Sequence, residues 1–278
     1  MIEKLLVVSG AGSYPELVIK GARKAGVRRV DVLAIKGSAS FAVRRLADSV
    51  HPVALRDFSE SVRWAGAQGY EGVILAGQLS PISLFRGGFD DEIKAILEAM
   101  PVKNAHSLFR KVIELFENAG ARVLPASLFM EDHIPGAGPL TDRAFADSER
   151  SDIAHAIDVA RDMGAHDVGQ TVMVKAGMVL AVEAFEGTNA AIRRGGKLGG
   201  NGGVIFKAAR EGHDMRFDIP VIGLKTLKVA KRAGVSAIGF QAGRLVIIDR
   251  EKVVAYANRH SIAIEGVESG LEAAPTRI

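Results

Sequence analysis

Cysteine is absent from the 278 residues of this chain, and aromatic residues make up only 6% of it. Without cysteine there is no disulfide scaffold, no thiolate zinc site and no cysteine nucleophile. No apolar run approaches the roughly 18 residues that a membrane-spanning helix needs. The N-terminal run MIEKLLVVSG is too short for a signal peptide. These absences predict a soluble protein that is not exported.

The composition is otherwise that of an ordinary globular protein, with 48% hydrophobic and 24% charged residues. Lys and Arg number 36 against 32 Asp and Glu, for a net charge of +4. A modest positive excess favours an anionic partner such as a nucleotide or an acidic lipid surface. Because there is no arginine-rich tract and no basic strand studded with aromatics, we expect no nucleic-acid partner.

Residues 1–129 alternate between strand-like and helix-like segments, which predicts a Rossmann-like parallel sheet with helices on both faces. The predicted strands are KLLVV, RVDVLAIKG, SVHPVAL, EGVILAGQ and ARVLPASLF. Ligands in such folds bind at the carboxyl ends of the strands. That rule places Gly10, Gly12 and Gln78 on one rim.

The first turn, SGAGSYP, connects a strand to a helix and is a candidate phosphate-binding turn through Gly12 and Ser13. It begins like a dinucleotide fingerprint, but Pro15 stands where the third glycine is expected. An ordinary strand-to-helix turn, with Pro15 in the first helical turn, explains the same residues.

Residues 130–147 lose all periodicity and contain clustered prolines and glycines, which predicts a linker. Residues 148–278 follow as a mixed α+β domain. We expect a helix capped by Ser148 or Ser151, a hairpin turning at Lys175-Ala176-Gly177, and a second hairpin turning at Ala242-Gly243. His133 lies alone in the linker, where a histidine is usually solvated.

The stretch from Glu183 to Asp218 is rich in acids, bases and glycines. Its candidate residues are Glu183, Glu186, Thr188, Arg193, Arg194, Lys197, Lys207, Arg210, Asp214, Arg216 and Asp218. Arg and Lys bind phosphate oxygens, and carboxylates bind Mg²⁺. The pattern therefore indicates a phosphate site, with a charged surface loop as the alternative.

Asp214, Arg216 and Asp218 alternate, so on a strand all three would share one face. There they would form either a catalytic row or a solvated row of ion pairs. Asp218 precedes Ile219-Pro220 and also suits a turn.

The run VGQTVMVKAGMVLAVEAFEGTNAAI resembles the signature of the UDP-2,3-diacylglucosamine pyrophosphatase family of the lipid A pathway. This is the two-domain, metal-dependent family, distinct from the calcineurin-like enzymes. HDMRFDIPVIG and AGRLVIIDRE are similar to its second and third blocks, and SGAGSYP and LAGQL to its first domain. The resemblance covers nearly the whole chain.

The resemblance implies Mg²⁺-dependent hydrolysis to UMP and 2,3-diacylglucosamine 1-phosphate (lipid X), by water attack on the α-phosphorus. It implies an essential Asp218, and charge and spacing add Asp214 and Arg216 as further catalytic candidates. Asp218 and Glu186 are the candidate metal ligands. The candidate substrate-binding residues are Gly12, Ser13, Gln78, Glu186, Thr188, Ile192, Arg193, Arg194, Lys207 and Arg210.

Three positions depart from the family pattern. Asn189 replaces the usual Asp after E-G-T, His213 replaces Gln, and Arg210-Glu211 replaces Lys-Pro. Asn189 offers an oxygen without charge, which leaves open a non-catalytic nucleotide or lipid carrier. A nicotinamide-dependent oxidoreductase is a further alternative, but Lys36 ends the second strand where an acidic residue would hold the ribose.

The implied substrate carries two acyl chains. We therefore expect a cytoplasmic protein that attaches transiently to the inner face of the inner membrane, with the basic segment LKTLKVAKRAG as one candidate contact. A homodimer is left open.

Overall fold

The computed structural model describes residues 2–36, 38, 40–78, 88–100, 105–166, 168–209, 214, 216–217 and 219–270. The chain divides into two compact units. The first comprises Met1–Met130 and Met215–Asp218, and the second comprises Glu131–Asp214 and Ile219–Ile278. Residues 215–218 thus belong to the first unit, although their neighbours in the chain belong to the second.

The first unit is built on a parallel sheet of order β3-β2-β1-β4, as far as its residues are described. Its strands are β1 (Lys4–Ser9), β2 (Arg29–Ile35), β3 (Ser49–Val53) and β4 (Gly72–Ala76). Its helices are α1 (Tyr14–Lys24), α2 (Phe41–Leu46), α3 (Phe58–Ala67), α4 (Asp91–Ala99) and α5 (Ala105–Asn118), with a 3-10 turn at Leu55–Asp57.

Strand β1 is buried on both faces because helices cover both sides of the sheet. Leu6 and Val8 pack with residues of α3 and α5, such as Phe58 and Phe116. Leu5 and Val7 alternate with them and point to the other face, where α1 packs on the sheet. The predicted Rossmann-like arrangement is confirmed, and its buried strands explain the aliphatic composition.

One predicted strand of this unit was wrong. Within ARVLPASLF, Val123 forms a single parallel bridge to Val73, and the residues after it form turns. The segment packs at the edge of the sheet, but the bridge extends no further before the chain turns.

The second unit contains a mixed sheet of order β5-β12-β10-β8-β6-β7 among its described residues. Strands β8, β10 and β12 are parallel, and β5, β6 and β7 are antiparallel to their neighbours. The strands are β5 (Gly138–Pro139), β6 (Thr171–Lys175), β7 (Met178–Val182), β8 (Gly203–Lys207), β10 (Val235–Gln241) and β12 (Ala263–Val267). Helices α6 (Asp147–Ala165), α7 (Thr188–Gly199), α8 (Leu224–Arg232) and α9 (Arg250–Arg259) accompany it.

Two apolar cores lie on opposite faces of this sheet. Val204 and Phe206 of β8 pack with Ile153 of α6. Ile205, between them, packs with Ile192 of α7 and with residues of α8 and α9. The period of two along β8 therefore separates the helix-covered faces.

The range 130–147, interpreted from the sequence as a linker, contributes to the second unit. Glu131–His133 form a 3-10 turn, and β5 pairs with β12. Arg143 binds the Glu149 carboxylate at 2.7 Å, and Glu149 also accepts from the Ala146 N–H at 2.9 Å. Helix α6 begins at Asp147, and the Glu149 carboxylate accepts from the Ala146 N–H at its start. Neither Ser148 nor Ser151 caps this helix as predicted.

The hairpin at Lys175-Ala176-Gly177 is confirmed, with Ala176 and Gly177 both in left-handed conformations. The second predicted hairpin was wrong. After β10 the chain turns into β11 (Val246–Ile247), which pairs in parallel with β9 (Val221–Ile222) in a separate small sheet. Local alternation does not reveal which partner a short apolar segment will find.

The possible strand through residues 214–218 does not form in its described part, because Arg216 and Phe217 lie in a turn. Phe217 stacks on Phe109 with ring centroids 5.4 Å apart, and Arg216 pairs with Glu117 at 2.9 Å. These contacts attach the turn to the first unit. Within the described part of the chain, no helix is both long enough and apolar enough to span a bilayer.

Candidate functional site

Polar side chains collect at one edge of the second unit's sheet, where the parallel strands end. Lys207 is the last residue of β8 and Gln241 the last of β10. Thr171, the first residue of antiparallel β6, lies opposite Lys207, and Glu183 directly follows β7. Carboxyl ends of parallel strands are the usual place for a ligand in open α/β sheets.

Thr188 lies at the centre of this edge. Lys207 Nζ donates to Thr188 Oγ1 at 2.7 Å, and Thr188 Oγ1 lies 3.0 and 2.9 Å from the two carboxylate oxygens of Glu183. Thr171 Oγ1 is 3.5 Å away. We call Thr171, Glu183, Thr188 and Lys207 the Thr188 cluster.

Local sequence explains why Thr188 stands there. Gly187, with φ of 79°, turns the chain sharply so that α7 begins at Thr188. An L side chain is strained at that angle. The helix therefore starts beside the sheet edge, where Thr188 meets Lys207. A helix start favours negative charge, so it adds to the attraction of Lys207 for an anion.

Lys207 is only 7% exposed, so its ammonium has lost most of its hydration. Such a burial is costly unless the charge is hydrogen-bonded and compensated. Thr188 accepts from Lys207, and Glu183 provides compensating charge through Thr188. Lysine binds phosphate oxygens as a point charge, so a lysine at this sheet edge is suited to an oxyanion.

Glu186 and Arg194 form an exposed ion pair in the turn before α7. Arg194 Nη2 binds Glu186 Oε1 at 2.5 Å and the Val182 carbonyl at 2.8 Å. The hydrogen bond from Arg194 is the main reason that the pKa of Glu186 is lowered. Both residues were predicted to bind ligand, and here they bind each other.

Asn189 carries a polar atom that the sequence analysis noted only as a departure. Its Oδ1 is buried and has no hydrogen-bond partner. Buried acceptors are rarely left unpaired, and each such case needs an explanation. Its neighbour Thr188 belongs to the cluster, so this acceptor lies beside the same helix start.

Other predicted residues lie elsewhere. Ile192 is fully buried in the core, so its role here is packing. Arg193 lies in a groove between α7 and α8, away from Arg194. Arg216 pairs with Glu117 in the first unit, and Asp214 has no regular secondary structure. Asp218 and Arg210 are outside the described residues.

Gly12, Ser13 and Gln78 lie at the carboxyl edge of the first unit's sheet. Ala11 and Gln78 exchange two backbone hydrogen bonds of 2.8 Å, which brings the two strand ends together as expected. A Cβ on Gly10 would lie 2.7 Å from the Gln78 carbonyl oxygen. Glycine is required there for the close approach, and this accounts for Gly10 without any ligand.

Two family models match the chain in order and cover most of it. The LpxI N-terminal domain matches residues 4–133, and the LpxI C-terminal domain matches residues 136–265. The chain belongs to the LpxI family. A curated relative, the UDP-2,3-diacylglucosamine pyrophosphatase LpxI of Caulobacter vibrioides, is 31% identical over 96% of this chain and 98% of its own length.

Two solved structures show a distant likeness to this LpxI-family chain. The biotin carboxylase subunit of pyruvate carboxylase matches 62% of this chain and 35% of its own, at 12% identity and a TM-score of 0.28. Glycinamide-RNase-transformylase T from Mycobacterium tuberculosis matches 65% and 43%, at 16% identity and a TM-score of 0.23. Likeness at these TM-scores supports no conclusion about function.

Magnesium stays a prediction. Glu183 and the unpaired Oδ1 of Asn189 are oxygen donors of the kind that Mg²⁺ prefers. Among the described residues, however, no three His, Asp or Glu side chains come together as a metal site. Glu186, a predicted ligand, already accepts from Arg194.

Proposed function

We propose that this chain hydrolyses UDP-2,3-diacylglucosamine to UMP and 2,3-diacylglucosamine 1-phosphate. The observation that carries the proposal is the relation, over nearly the full length of both chains, to a relative with that activity in its name. The Thr188 cluster supports it, because it fixes a buried cation at a sheet edge suited to phosphate.

In the proposed reaction, the oxygen of water bonds to the α-phosphorus and the bond to the bridging oxygen breaks. Lys207 donates to a phosphate oxygen, and Glu183 keeps Thr188 and Lys207 in position. Asp218 is proposed as the essential carboxylate. Mg²⁺, when bound, would neutralise charge that builds up on the diphosphate.

Hydrolysis in H₂¹⁸O tests both the reaction and its direction. Wild type, Asp218→Ala and the control Asp162→Ala are incubated with UDP-2,3-diacylglucosamine and Mg²⁺; Asp162 is an exposed residue of α6. We expect label in UMP for wild type and control, and loss of turnover in Asp218→Ala or with EDTA. Label in the lipid phosphate would refute attack on the α-phosphorus. No turnover by wild type would refute the proposed activity.

A non-catalytic carrier is the second candidate, because Asn189 replaces an acid that the family usually has. Asn189→Asp distinguishes the two. If wild type binds substrate without turnover and Asn189→Asp hydrolyses it, the carrier function is correct. If wild type already turns over, Asn189 is compatible with catalysis and the carrier function is excluded.

We further propose that the protein works at the cytoplasmic membrane surface, reached through a basic groove. The groove is lined by Arg193 and Lys197 of α7 and by Lys225, Lys228 and Arg232 of α8. Gly196 lets the helices approach, since a Cβ there would lie 2.6 Å from Ala233. No described residue forms an ion pair with any of the five cations.

Exposed apolar side chains also lie on α7 and in the turn before it. Leu198 follows Lys197 on α7 and is 69% exposed, and Phe185, in the turn before α7, is 86% exposed. Cations beside exposed apolar groups are typical of surfaces that bind anionic bilayers. Because the substrate carries two acyl chains, an enzyme that acts on it would use such a surface to reach the membrane.

Flotation with vesicles of phosphatidylglycerol and phosphatidylethanolamine, against phosphatidylcholine vesicles, tests this surface. The variant K225Q/K228Q/R232Q removes three unpaired cations. The control K20Q/K94Q/K111Q removes three cations that are paired with carboxylates, so both fall from +4 to +1 (4 − 3). We expect only the first variant to lose flotation. Equal loss in both would indicate that net charge alone drives binding.

A further inference from the structure

The guanidinium of Arg244 has no partner among the residues that the structure describes. Both Nη1 and Nη2 are buried without a hydrogen-bond acceptor there. Burial lowers the pKa of Arg244, and no described carboxylate offsets this effect. Arg244 belongs to the AGRLVIIDRE block, but sequence reasoning did not single it out. A charged group of this kind is among the least expected things to find unpaired inside a protein.

Arg244 lies at the same sheet edge as the Thr188 cluster. It follows the end of β10 by three residues, and its N–H donates to the carbonyl of Gln241 at 3.3 Å. Ala242 donates to the carbonyl of Val267, the last residue of β12, at 3.1 Å. The turn that carries Arg244 is therefore fixed to the carboxyl ends of two parallel strands.

A second unpaired group lies on the neighbouring loop. His133 Nδ1 is also buried without a partner, in contrast to the solvated histidine expected from sequence. The two loops are joined, because the N–H of Gly243 donates to the carbonyl of Pro135 at 2.9 Å. Two adjacent loops thus each direct an unsatisfied nitrogen into the protein.

The backbone around Arg244 is held firmly enough to keep the guanidinium there. Leu245 and Val246 are fully buried, and the N–H of Val246 donates to the Pro220 carbonyl at 2.9 Å. Arginine does not release its proton, so it cannot relieve its burial by becoming neutral. An anion that occupies the guanidinium fork would both accept from Nη1 and Nη2 and compensate the charge.

We propose that Arg244, flanked by His133, forms a phosphate-binding site that takes a phosphoryl group of the substrate. The planar fork of arginine matches two phosphate oxygens at once. The identity of the phosphate rests on the proposed function, whereas the proposal of an anion site rests on the unpaired guanidinium and its place at the strand ends. Lys207 and Arg244 then provide two separate cationic points along one sheet edge, as a diphosphate requires.

Thermal unfolding with inorganic pyrophosphate tests the site without any turnover. The variants are Arg244→Met and Arg244→Lys, with Arg161→Met as control, since Arg161 is an exposed arginine paired with Asp158. We expect pyrophosphate to raise the midpoint of wild type and control, to raise that of Arg244→Lys less, and not to shift Arg244→Met. Without pyrophosphate, Arg244→Met should be at least as stable as wild type, because it removes an uncompensated buried charge.

The opposite pattern would overturn the proposal. If Arg244→Met lowers the midpoint without ligand and keeps the pyrophosphate shift, Arg244 is a structural residue. If Arg244→Met fails to fold, Arg244→Lys decides: an undiminished pyrophosphate shift would refute the need for the fork.

Kinetics separates this proposal from the proposed function. With UDP-2,3-diacylglucosamine we expect kcat/KM to fall at least tenfold in Arg244→Met and to stay unchanged in Arg161→Met. An unchanged kcat/KM in Arg244→Met would refute the site. If wild type shows no turnover but its pyrophosphate shift depends on Arg244, the phosphate site stands and the proposed function fails.

Discussion

Replacing Thr188 by Val is the sharpest test of the Thr188 cluster. The change keeps the shape of the side chain and removes the hydroxyl that accepts from Lys207 at 2.7 Å. A hydrogen bond to a charged group contributes about 1.5–3 kcal/mol, which corresponds to a change of roughly 10- to 140-fold in the unfolding equilibrium. Thr188→Val also removes the hydrogen bond from Thr188 to Glu183. Because Glu183 is half-buried, water can replace that bond, so its loss adds little to the loss of stability.

The assay exploits the position of the single tryptophan. Trp64 lies in α3 of the first unit, so its fluorescence follows that unit during urea unfolding. Circular dichroism follows both units. We expect Thr188→Val to lower the midpoint seen by circular dichroism and to leave the Trp64 transition in place if the units unfold independently.

Two matched variants control this experiment. Thr188→Ser keeps the hydroxyl and should retain most of the stability. Thr171→Val removes the hydroxyl of a residue that is more buried than Thr188 but reaches Thr188 Oγ1 only at 3.5 Å, so its effect should be smaller. If Thr188→Val and Thr171→Val cost the same, or Thr188→Val costs nothing, the Lys207–Thr188 bond does not hold the site together.

Three further predictions concern packing, acid stability and the exposed ion pair. Gly196→Ala should destabilise the second unit by about 1–3 kcal/mol, because its Cβ meets Ala233, whereas Gly136→Ala, with open space around it, should be neutral in the same urea titration. Burial raises the pKa of Asp31, but hydrogen bonds from Ser49, Tyr70 and Arg29 outweigh it, so the pKa is lowered overall. Its carboxylate therefore contributes stability above the unfolded pKa of about 4, and this contribution is lost as pH falls through the lower folded pKa. When the urea midpoint is plotted against pH, it should fall less at acid pH in Asp31→Asn than in wild type. The exposed Asp91→Asn should behave as wild type. Parallel curves for wild type and Asp31→Asn would contradict the prediction. Arg194→Met should cost less than about 1 kcal/mol, since its pair with Glu186 is exposed, and a larger loss would mean that this pair supports the start of α7.

The sequence was sufficient to predict those features of the fold that depend on local pattern. Buried aliphatic runs predicted the strands β1, β2 and β4. Two β-rich runs with Lys175-Ala176-Gly177 between them predicted a tight hairpin, and Ala176 and Gly177 adopt left-handed angles in its turn. The long motif around EAFEGTNA was specific enough to indicate the family before any fold was known.

Tertiary structure decided what depends on contacts between distant segments. Val246–Ile247 pair with Val221–Ile222 and not with β10. The sequence of a short apolar segment does not specify its partner strand. Arg194 and Arg193 are adjacent in sequence but reach different surfaces, since successive residues of a helix point about 100° apart. The unpaired state of Arg244 and His133 is likewise invisible in a list of residues. Only the packed chain shows which polar groups have lost water without gaining a partner, and desolvation is a property of the surroundings, not of the residue.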